Sequence, residues 1–183
     1  LILMKILFYF AHPAQYMFLR STLKNLYSSK HQIKLLIKTK DVLEELVSND
    51  NFPYQNILIK ERNKSITGII SSLIKRNFKV FSIIRKNKPD LLISTDASFA
   101  QMGWLLRVPR ITVLEDDFQI IKPLALLTYP FTNTILCPLV CKVGIWNHKK
   151  IGYNGYMKLG YLHPKIFKPN IKIVQNTYNI SGD

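Results

Sequence analysis

The sequence predicts an α/β protein, a single Rossmann-like domain in which helices flank a parallel sheet. Short apolar runs alternate along the chain with longer segments whose apolar residues recur every three or four positions. Strands buried on both faces read as continuous apolar runs, and parallel strands are usually joined by a helix. With 183 residues, 48% of them hydrophobic, the chain can form one core of ordinary size.

The predicted strands are short apolar runs, each of which ends at a polar residue or at a proline. The first ends at Ala11-His12-Pro13, where proline can begin a helix but cannot continue a strand. The predicted strands are Lys5–Phe10, Gln32–Ile37, Tyr54–Ile59, Leu91–Ser94, Arg110–Leu114 and Thr134–Cys137.

The predicted helices lie between these strands. They are Ala14–Tyr27, Asp41–Val47, Ser65–Asn87, Ser98–Leu106 and Phe118–Tyr129, the last with a break near Pro123. Asp41 and Glu44 have the spacing of a capping box. In Ser65–Asn87 one face is predicted to be apolar (Ile66, Ile69, Ile70, Leu73, Ile74, Phe78, Phe81, Ile84) and the other basic (Lys75, Arg76, Lys79, Lys86).

The segment Ile151–Pro164 fits neither pattern, because it combines three glycines with closely spaced tyrosines. The pair Asn154-Gly155 predicts a tight turn, since both residue types accept a positive φ. The neighbouring Tyr153 and Tyr156 are open to two interpretations: stacking on a sugar or base, or packing beneath a long loop.

The formal net charge of +15 also has two interpretations. Such a field attracts nucleic acid, anionic lipid or phosphorylated small molecules. It also follows from a composition rich in Lys, Asn and Ile, and the lysines are spread over several elements. Since the chain has neither an RNA-binding sheet signature nor a zinc finger, nucleic acid is not expected as a partner.

Neither a metal, a membrane span nor a disulfide framework is expected. Cys137 and Cys141 lack the His or Cys partners of a zinc site, so buried structural thiols in a reducing, cytoplasmic compartment are predicted. The most apolar region, Ile120–Ile145, is interrupted by lysines and prolines. The sequence lacks the GxGxxG motif of dinucleotide sites, and no cofactor is expected.

The candidate site lies where polar residues follow the strands, because ligands of such folds bind outside the carboxyl ends of the strands. Three segments qualify: Ala11–Gln15, Ser94–Ser98 and Glu115–Asp117. His12 could be a general base beside a helix amino terminus, or a turn residue before a helix-starting proline. The three acids could orient sugar hydroxyls, act as a base or hold a metal with phosphate, or they could be a helix cap. Ser94-Thr95-Asp96 also suits an Asx or Ser/Thr turn.

Three segments together resemble a known family. Lys5–Phe18 (KILFYFAHPAQYMF), Leu127–Pro130 (LTYP) and Ile151–Pro164 (IGYNGYMKLGYLHP) are similar to the domain of unknown function 354 family of bacteria and archaea. Its members resemble GT-B glycosyltransferases and nucleotide-sugar 2-epimerases. This chain departs from the family at Gln15, where members commonly have a second histidine, and at Met17.

The resemblance implies the amino-terminal half of a GT-B fold over residues 1–166, with 167–183 as the connection and the start of a carboxy-terminal domain. Phe167–Asn170 would be the connection, and Ile171–Tyr178 the first strand beyond it. The implied function is the acceptor side of a glycosyltransferase in surface polysaccharide or glycan synthesis. The alternatives are a 2-epimerase-like enzyme and a non-catalytic subunit from a truncated or split gene.

The resemblance also assigns roles and partners. His12 would be the base, and Asp116 or Asp117 would orient the acceptor. The candidate substrate-binding residues are Pro13, Gln15, Ser94, Thr95, Asp96, Glu115 and Asn154. The expected partners are a nucleotide-sugar, held mainly by a second domain, and a glycan or lipid-linked acceptor. A peripheral contact with the anionic inner face of the membrane would suit the charge.

Overall fold

The fold is a parallel sheet with helices on both faces, seen in a computed structural model that describes residues 2–38, 42–58 and 66–179. Within these residues the sheet has seven strands in the order β3-β2-β1-β4-β5-β6-β7. The strands are β1 Lys5–Phe10, β2 Gln32–Lys38, β3 Tyr54–Leu58, β4 Leu91–Ser94, β5 Arg110–Val113, β6 Thr134–Pro138 and β7 Lys150–Tyr153. The helices are α1 Pro13–Ser28, α2 Leu43–Asn49, α3 Ile66–Asn87, α4 Ala97–Leu105, α5 Lys122–Thr128, α6 Leu159–Leu162 and α7 Ile171–Tyr178. The predicted fold class is confirmed.

The central strand β1 shows how the three layers are built. Successive side chains of a strand point to opposite faces. Phe8 and Phe10 therefore pack with Tyr16 of α1 on one face, while Leu7 and Tyr9 pack with α3 and α4 on the other. All of these side chains are almost completely buried.

A third cluster covers the far end of the sheet, where β6 meets α5. It contains both cysteines, each buried and without a disulfide, beside Tyr129 and Ile135. Burial raises the pKa of the Cys137 and Cys141 thiols, which keeps them protonated. The prediction of buried structural thiols is confirmed.

The strand β7 was not predicted from the sequence. It pairs in parallel with β6, from Ile135 opposite Lys150 to Pro138 opposite Tyr153. Its sequence KIGY includes a lysine and a glycine, which are both uncommon in strands. A Cβ atom at Gly152 would lie 2.5 Å from Cδ2 of Leu139, so a larger residue there would require the Leu139 side chain to move. Gly155 follows with a φ of +139°, so the predicted positive φ in this segment is present.

The predicted strand Ile171–Tyr178 is wrong, since these residues form the helix α7. The Asn170 side chain caps this helix by accepting a hydrogen bond from the Ile173 N–H group (3.4 Å). Ile171 and Ile173 alternate with polar residues as in a strand, but Ile171, Val174 and Tyr178 also have helical spacing. The interdomain role of Phe167–Asn170 stays a prediction.

Two helix starts differ from those predicted. Asp41 lies outside the described residues, and α2 begins after Val42, which provides no side-chain cap. Glu44 instead accepts a hydrogen bond from the Tyr54 hydroxyl (3.0 Å). Pro123 does not break a helix, because it lies in the first turn of α5, where a missing N–H group costs nothing.

The predicted division of α3 into an apolar and a basic face is partly wrong. Val80 and Ile84 are buried against the sheet, whereas Ile74 is half exposed and Phe78 is 73% exposed. The side chains of Ile66, Ile69 and Ile70 lie outside the described ones. Arg76, predicted on the basic face, turns inward and pairs with Asp96. Within the described part of the chain, no helix has the length and apolar character to cross a membrane.

Candidate functional site

A cleft of about 340 Å³ lies at the carboxyl ends of β1, β4 and β5. The strands β1 to β3 follow one another towards one side of the sheet, and β4 to β7 follow one another towards the other side. The order of the strands therefore reverses between β1 and β4, and ligands of doubly wound folds bind at that point. The lining includes His12, Ala14, Gln15, Thr95, Glu115, Asp116, Met157 and Lys158. The structure thus brings together residues from all three predicted segments.

His12 caps helix α1 and is exposed to the cleft. Its Nδ1 atom accepts a hydrogen bond from the Ala14 N–H group (3.2 Å), and its backbone is extended, as is usual at an N-cap. An imidazole nitrogen that accepts a hydrogen bond carries no proton, so a neutral His12 has its proton on Nε2. His12 therefore presents a hydrogen-bond donor to the cleft while it stabilises the helix.

Gln15 and Pro13 complete the same turn. The Gln15 Oε1 atom accepts a hydrogen bond from the Ala11 N–H group (3.0 Å), and the Gln15 N–H group donates to the His12 carbonyl (3.1 Å). Gln15 lines the cleft. Pro13 is the first residue of α1 and fixes the start of the helix. It does not line the cleft, although its neighbours His12 and Ala14 do.

The acidic run after β5 is divided between two surroundings. Glu115, half-buried, and Asp116, exposed, line the cleft. The Asp117 Oδ1 atom accepts a hydrogen bond from the Lys142 N–H group (2.7 Å), and Asp117 is not part of the lining. This bond joins the loop after β5 to the loop after β6, so Asp117 positions the other two acids.

The segment after β4 also has one residue in the cleft and two beneath it. Thr95 lines the cleft, whereas Ser94 is buried and its Oγ atom accepts a hydrogen bond from the Asp96 N–H group (3.3 Å). Asp96 caps α4 through the Ser98 N–H group (2.8 Å) and pairs with Arg76, whose Nη1 atom lies 3.1 Å from Oδ2. Arg76 also donates to the Ser98 hydroxyl (2.9 Å). A cap and an ion pair thus hold Asp96 in the wall behind Thr95.

The segment after β7 contributes residues that the sequence did not identify. Met157, 3% exposed, and Lys158 both line the cleft. Asn154 is exposed and lies outside the lining. The unusual Ile151–Pro164 motif was the available signal, but it did not indicate which of its residues face the strand ends.

Neither Tyr153 nor Tyr156 lines the cleft: Tyr153 packs, whereas Tyr156 is 59% exposed. Tyr153 lies against Phe18, with ring centroids 5.3 Å apart, and its hydroxyl is buried without a hydrogen-bond partner among the described residues. Burial, and secondly the charge of Glu115, raises the pKa of Tyr153. The Tyr153 hydroxyl therefore stays protonated beside the acidic wall.

The lining offers polar groups of complementary kinds. Carboxylates such as those of Glu115 and Asp116 accept hydrogen bonds, the ring N–H group of a neutral His12 donates one, and Lys158 carries a positive charge. Among the residues that the structure describes, no three His, Cys, Asp or Glu side chains are grouped to hold a metal ion.

Comparisons with known proteins find similarity in structure alone. No family model and no curated protein matches the sequence. The solved structures include UDP-GlcNAc 2-epimerase from Neisseria meningitidis bound to UDP-GlcNAc, with a TM-score of 0.67 at 14% identity over 96% of this chain and 53% of that one. They also include S. aureus MnaA with UDP, with a TM-score of 0.65 at 12% identity over 97% of this chain and 50% of that one. MurG from Acinetobacter baumannii has a TM-score of 0.62 at 14% identity over 82% of this chain and 45% of that one.

The chain therefore spans about half the length of the proteins that it resembles. This likeness concerns the fold, a parallel α/β sheet of the Rossmann-like type whose structural neighbours are GT-B proteins. The resemblance to the domain of unknown function 354 family stays a prediction, and what the comparisons add is the fold: a GT-B-like, Rossmann-like domain.

Proposed function

We propose that this domain forms the acceptor side of a GT-B-type glycosyltransferase of surface polysaccharide or glycan synthesis and works with a donor-binding half. The observation that carries the proposal is the cleft at the β1–β4 reversal, with two carboxylates, an imidazole N–H group and a lysine in its lining. The chain spans about half of each similar structure, which supports a site completed by a second half.

In the proposed reaction, an acceptor hydroxyl attacks the anomeric carbon of a nucleotide-sugar. The new carbon–oxygen bond forms as the bond to the diphosphate breaks, and the nucleoside diphosphate leaves with that electron pair. The hydroxyl proton passes to a carboxylate, for which Asp116 is the candidate because it is exposed in the cleft.

The cap changes the role that we propose for His12. A general base needs an unprotonated nitrogen facing the substrate, whereas the Nδ1 atom of His12 is occupied by the Ala14 N–H group. We assign His12 the role of donor through Nε2 to an acceptor oxygen. Glu115 and Thr95 bind neighbouring hydroxyls, and Asp117 and Asp96 hold the walls through their own hydrogen bonds.

The proposal is tested by ligand titration of the chain, followed by NMR. We expect saturable shifts at the cleft with monosaccharides or a short-chain polyprenyl-phosphate mimic. The Asp116→Asn and Glu115→Gln variants should weaken binding about tenfold, the order expected for the loss of a charged hydrogen bond. Glu45→Gln, an exposed acid on α2 with the same change in charge, is the matched control. Absence of any shift, or equal weakening by Glu45→Gln, would refute the proposal.

The second candidate is a nucleotide-sugar 2-epimerase. Two structures with TM-scores of 0.67 and 0.65 are the UDP-GlcNAc 2-epimerase and MnaA noted above, which favours testing this chemistry. Such an enzyme inverts carbon 2 and needs no acceptor, so UDP-GlcNAc would be converted by the chain together with a donor-binding half. Turnover without an acceptor selects the epimerase, and turnover only with an acceptor selects the transferase.

A further inference from the structure

We propose that a second cleft, at the opposite ends of the strands from the first, binds a phosphate group. It lies at the amino-terminal end of β5, has a volume of about 530 Å³ and is lined by Trp104, Leu105, Arg107, Pro109, Arg110 and Asn133. The functional cleft proposed above lies at the carboxyl ends of the strands, so the two sites are separate and either can fail without the other.

The main observation is a buried arginine that has no acidic partner among the residues that the structure describes. Arg110 is 8% exposed, and within this part of the chain its guanidinium donates to two backbone carbonyls, Nε to Phe131 and Nη1 to Val108 (2.6 Å). The described ion pairs all involve other cations, Arg20, Lys24 and Arg76. A buried charge is normally paired with an opposite charge. An anion in the cleft would provide that charge.

The helix before β5 places a second arginine at the same cleft. Helix α4 ends in a Schellman motif, in which the Arg107 N–H group donates to Trp104 (3.1 Å) and the Val108 N–H group to Gly103 (2.8 Å). This motif requires a left-handed residue at its end, which is usually glycine. Arg107 occupies the position with a φ of +57°. A strained, exposed arginine therefore lies at the cleft where a glycine would fit better.

The rest of the lining suits a phosphate ester. The Asn133 Oδ1 atom accepts a hydrogen bond from the backbone N–H group of Arg110 (3.1 Å), which leaves the side-chain amide nitrogen of Asn133 as a donor. Trp104 is 55% exposed and offers an indole face. Gly103 provides space for the arginine, because a Cβ atom there would lie 2.9 Å from Cδ of Arg110.

The surrounding charge is positive. Lys149 donates to the carbonyls of Tyr129 (2.8 Å) and Pro130 (3.1 Å). Burial, and secondly the nearby positive charge of Arg110, lowers the pKa of Lys149. None of the residues that line the cleft is acidic. Two arginines and an amide that line one cleft suit a phosphate group better than a neutral ligand.

The test uses the two tryptophans of the chain, Trp104 and Trp146, whose indole N–H signals are assigned with Trp104→Phe. Inorganic phosphate is titrated against chloride at matched ionic strength. We expect a saturable shift of the Trp104 signal and no shift of the Trp146 signal, because Trp146 packs against Phe118 and Tyr129 away from the cleft.

Arg107→Gly separates binding from folding. Glycine suits the left-handed position, so this variant should have a higher Tm than the native chain. It should nevertheless bind phosphate about tenfold more weakly, because one charged hydrogen-bond donor is lost. Lys86→Ala removes an exposed charge from α3 and is the matched control, with unchanged binding. Equal weakening by Lys86→Ala, or full affinity in Arg107→Gly, overturns the proposal.

The source of the phosphate is distinguished with dihexanoyl phosphatidic acid as a second probe. Leu105 lines both this cleft and the apolar groove of Phe78 and Phe81 between α3 and α4. If a lipid headgroup is bound, the short-chain lipid binds more tightly than inorganic phosphate and Leu105→Asn removes that gain. Equal affinities indicate a water-soluble phosphate compound. Failure of both probes to shift Trp104 overturns the site.

Discussion

At the scale of single residues, the Asp50 side chain contacts three polar side chains of α1. It is 5% exposed and receives two bonds from Arg20, Nε to Oδ2 at 2.5 Å and Nη2 to Oδ1 at 2.6 Å. The Tyr16 hydroxyl donates to Oδ2 (2.5 Å), and the Lys24 amine lies 2.9 Å from Oδ1. The hydrogen bonds from Arg20 are the main reason why the pKa of Asp50 lies far below its usual range. This cluster fastens the end of α2 to α1.

Asp50→Asn should lower the free energy of unfolding by about 2 kcal/mol at pH 7, the range for losing charged hydrogen bonds at a buried carboxylate. The native pKa is depressed, so the stabilisation is complete above the unfolded pKa of about 4 and is lost as the pH falls towards the native pKa. The difference in free energy of unfolding between the native chain and Asp50→Asn, measured by chemical denaturation, should therefore be smaller at pH 3 than at pH 7. Glu45→Gln, an exposed control, should change little at either pH. A difference that grows on acidification would contradict this assignment.

At the scale of elements, His12 contributes both to α1 and to the cleft, since its Nδ1 atom caps the helix and the residue lines the cleft. Aspartate is a good N-cap and alanine is a poor one. His12→Ala should therefore lose about 1 kcal/mol of stability, whereas His12→Asp should keep most of it. Both variants should bind sugars more weakly, because neither side chain has a hydrogen-bond donor. Thermal unfolding and NMR titration measure the two effects, and unchanged sugar binding in both variants would exclude the donor role.

The elements also show what the sequence can predict. The central strands and α1, α3 and α4 were predicted within a few residues, because a buried parallel strand is continuously apolar and its helices have strong periodicity. The edge strand β7 and the helix α7 were missed, since β7 carries Lys150 and Gly152 and α7 has no buried residue. The apolar pattern of β7 is weak, and the apolar residues of α7 fit the spacing of a strand as well as that of a helix, so the local sequence under-determines both elements.

The candidate site was predictable in position but not in detail. The rule that ligands bind at the carboxyl ends of strands located the three loops. It could not separate Thr95 from Asp96, or Asp116 from Asp117, because the difference lies in partners that are distant in sequence, Arg76 and Lys142. Lys158 enters the cleft only because β7 adds to the sheet and leads the chain back over the strand ends.

At the scale of the whole molecule, the chain combines a net charge of +15 with an exposed apolar surface on α3. Phe78 is 73% exposed and Ile74 is 50% exposed, next to the exposed Lys75 and Lys79. Each basic residue close to an anionic membrane contributes about 1 kcal/mol, and a buried phenylalanine contributes about 2 kcal/mol. The proposed peripheral contact with a membrane would therefore have an electrostatic and an apolar part.

These two parts respond differently to salt, which makes the membrane contact testable. Vesicles of phosphatidylcholine with phosphatidylglycerol should bind the chain in a flotation assay at low salt, and most of the binding should be lost at about 0.5 M salt, where the Debye length is a few Å. Phe78→Ser should weaken the binding that remains, while Tyr178→Ser, at 72% exposure on α7, should not. Equal binding to pure phosphatidylcholine would show that charge is not involved. Equal loss in both variants would remove α3 as the contact, since apolar insertion must depend on where the aromatic side chain lies and not merely on its exposure.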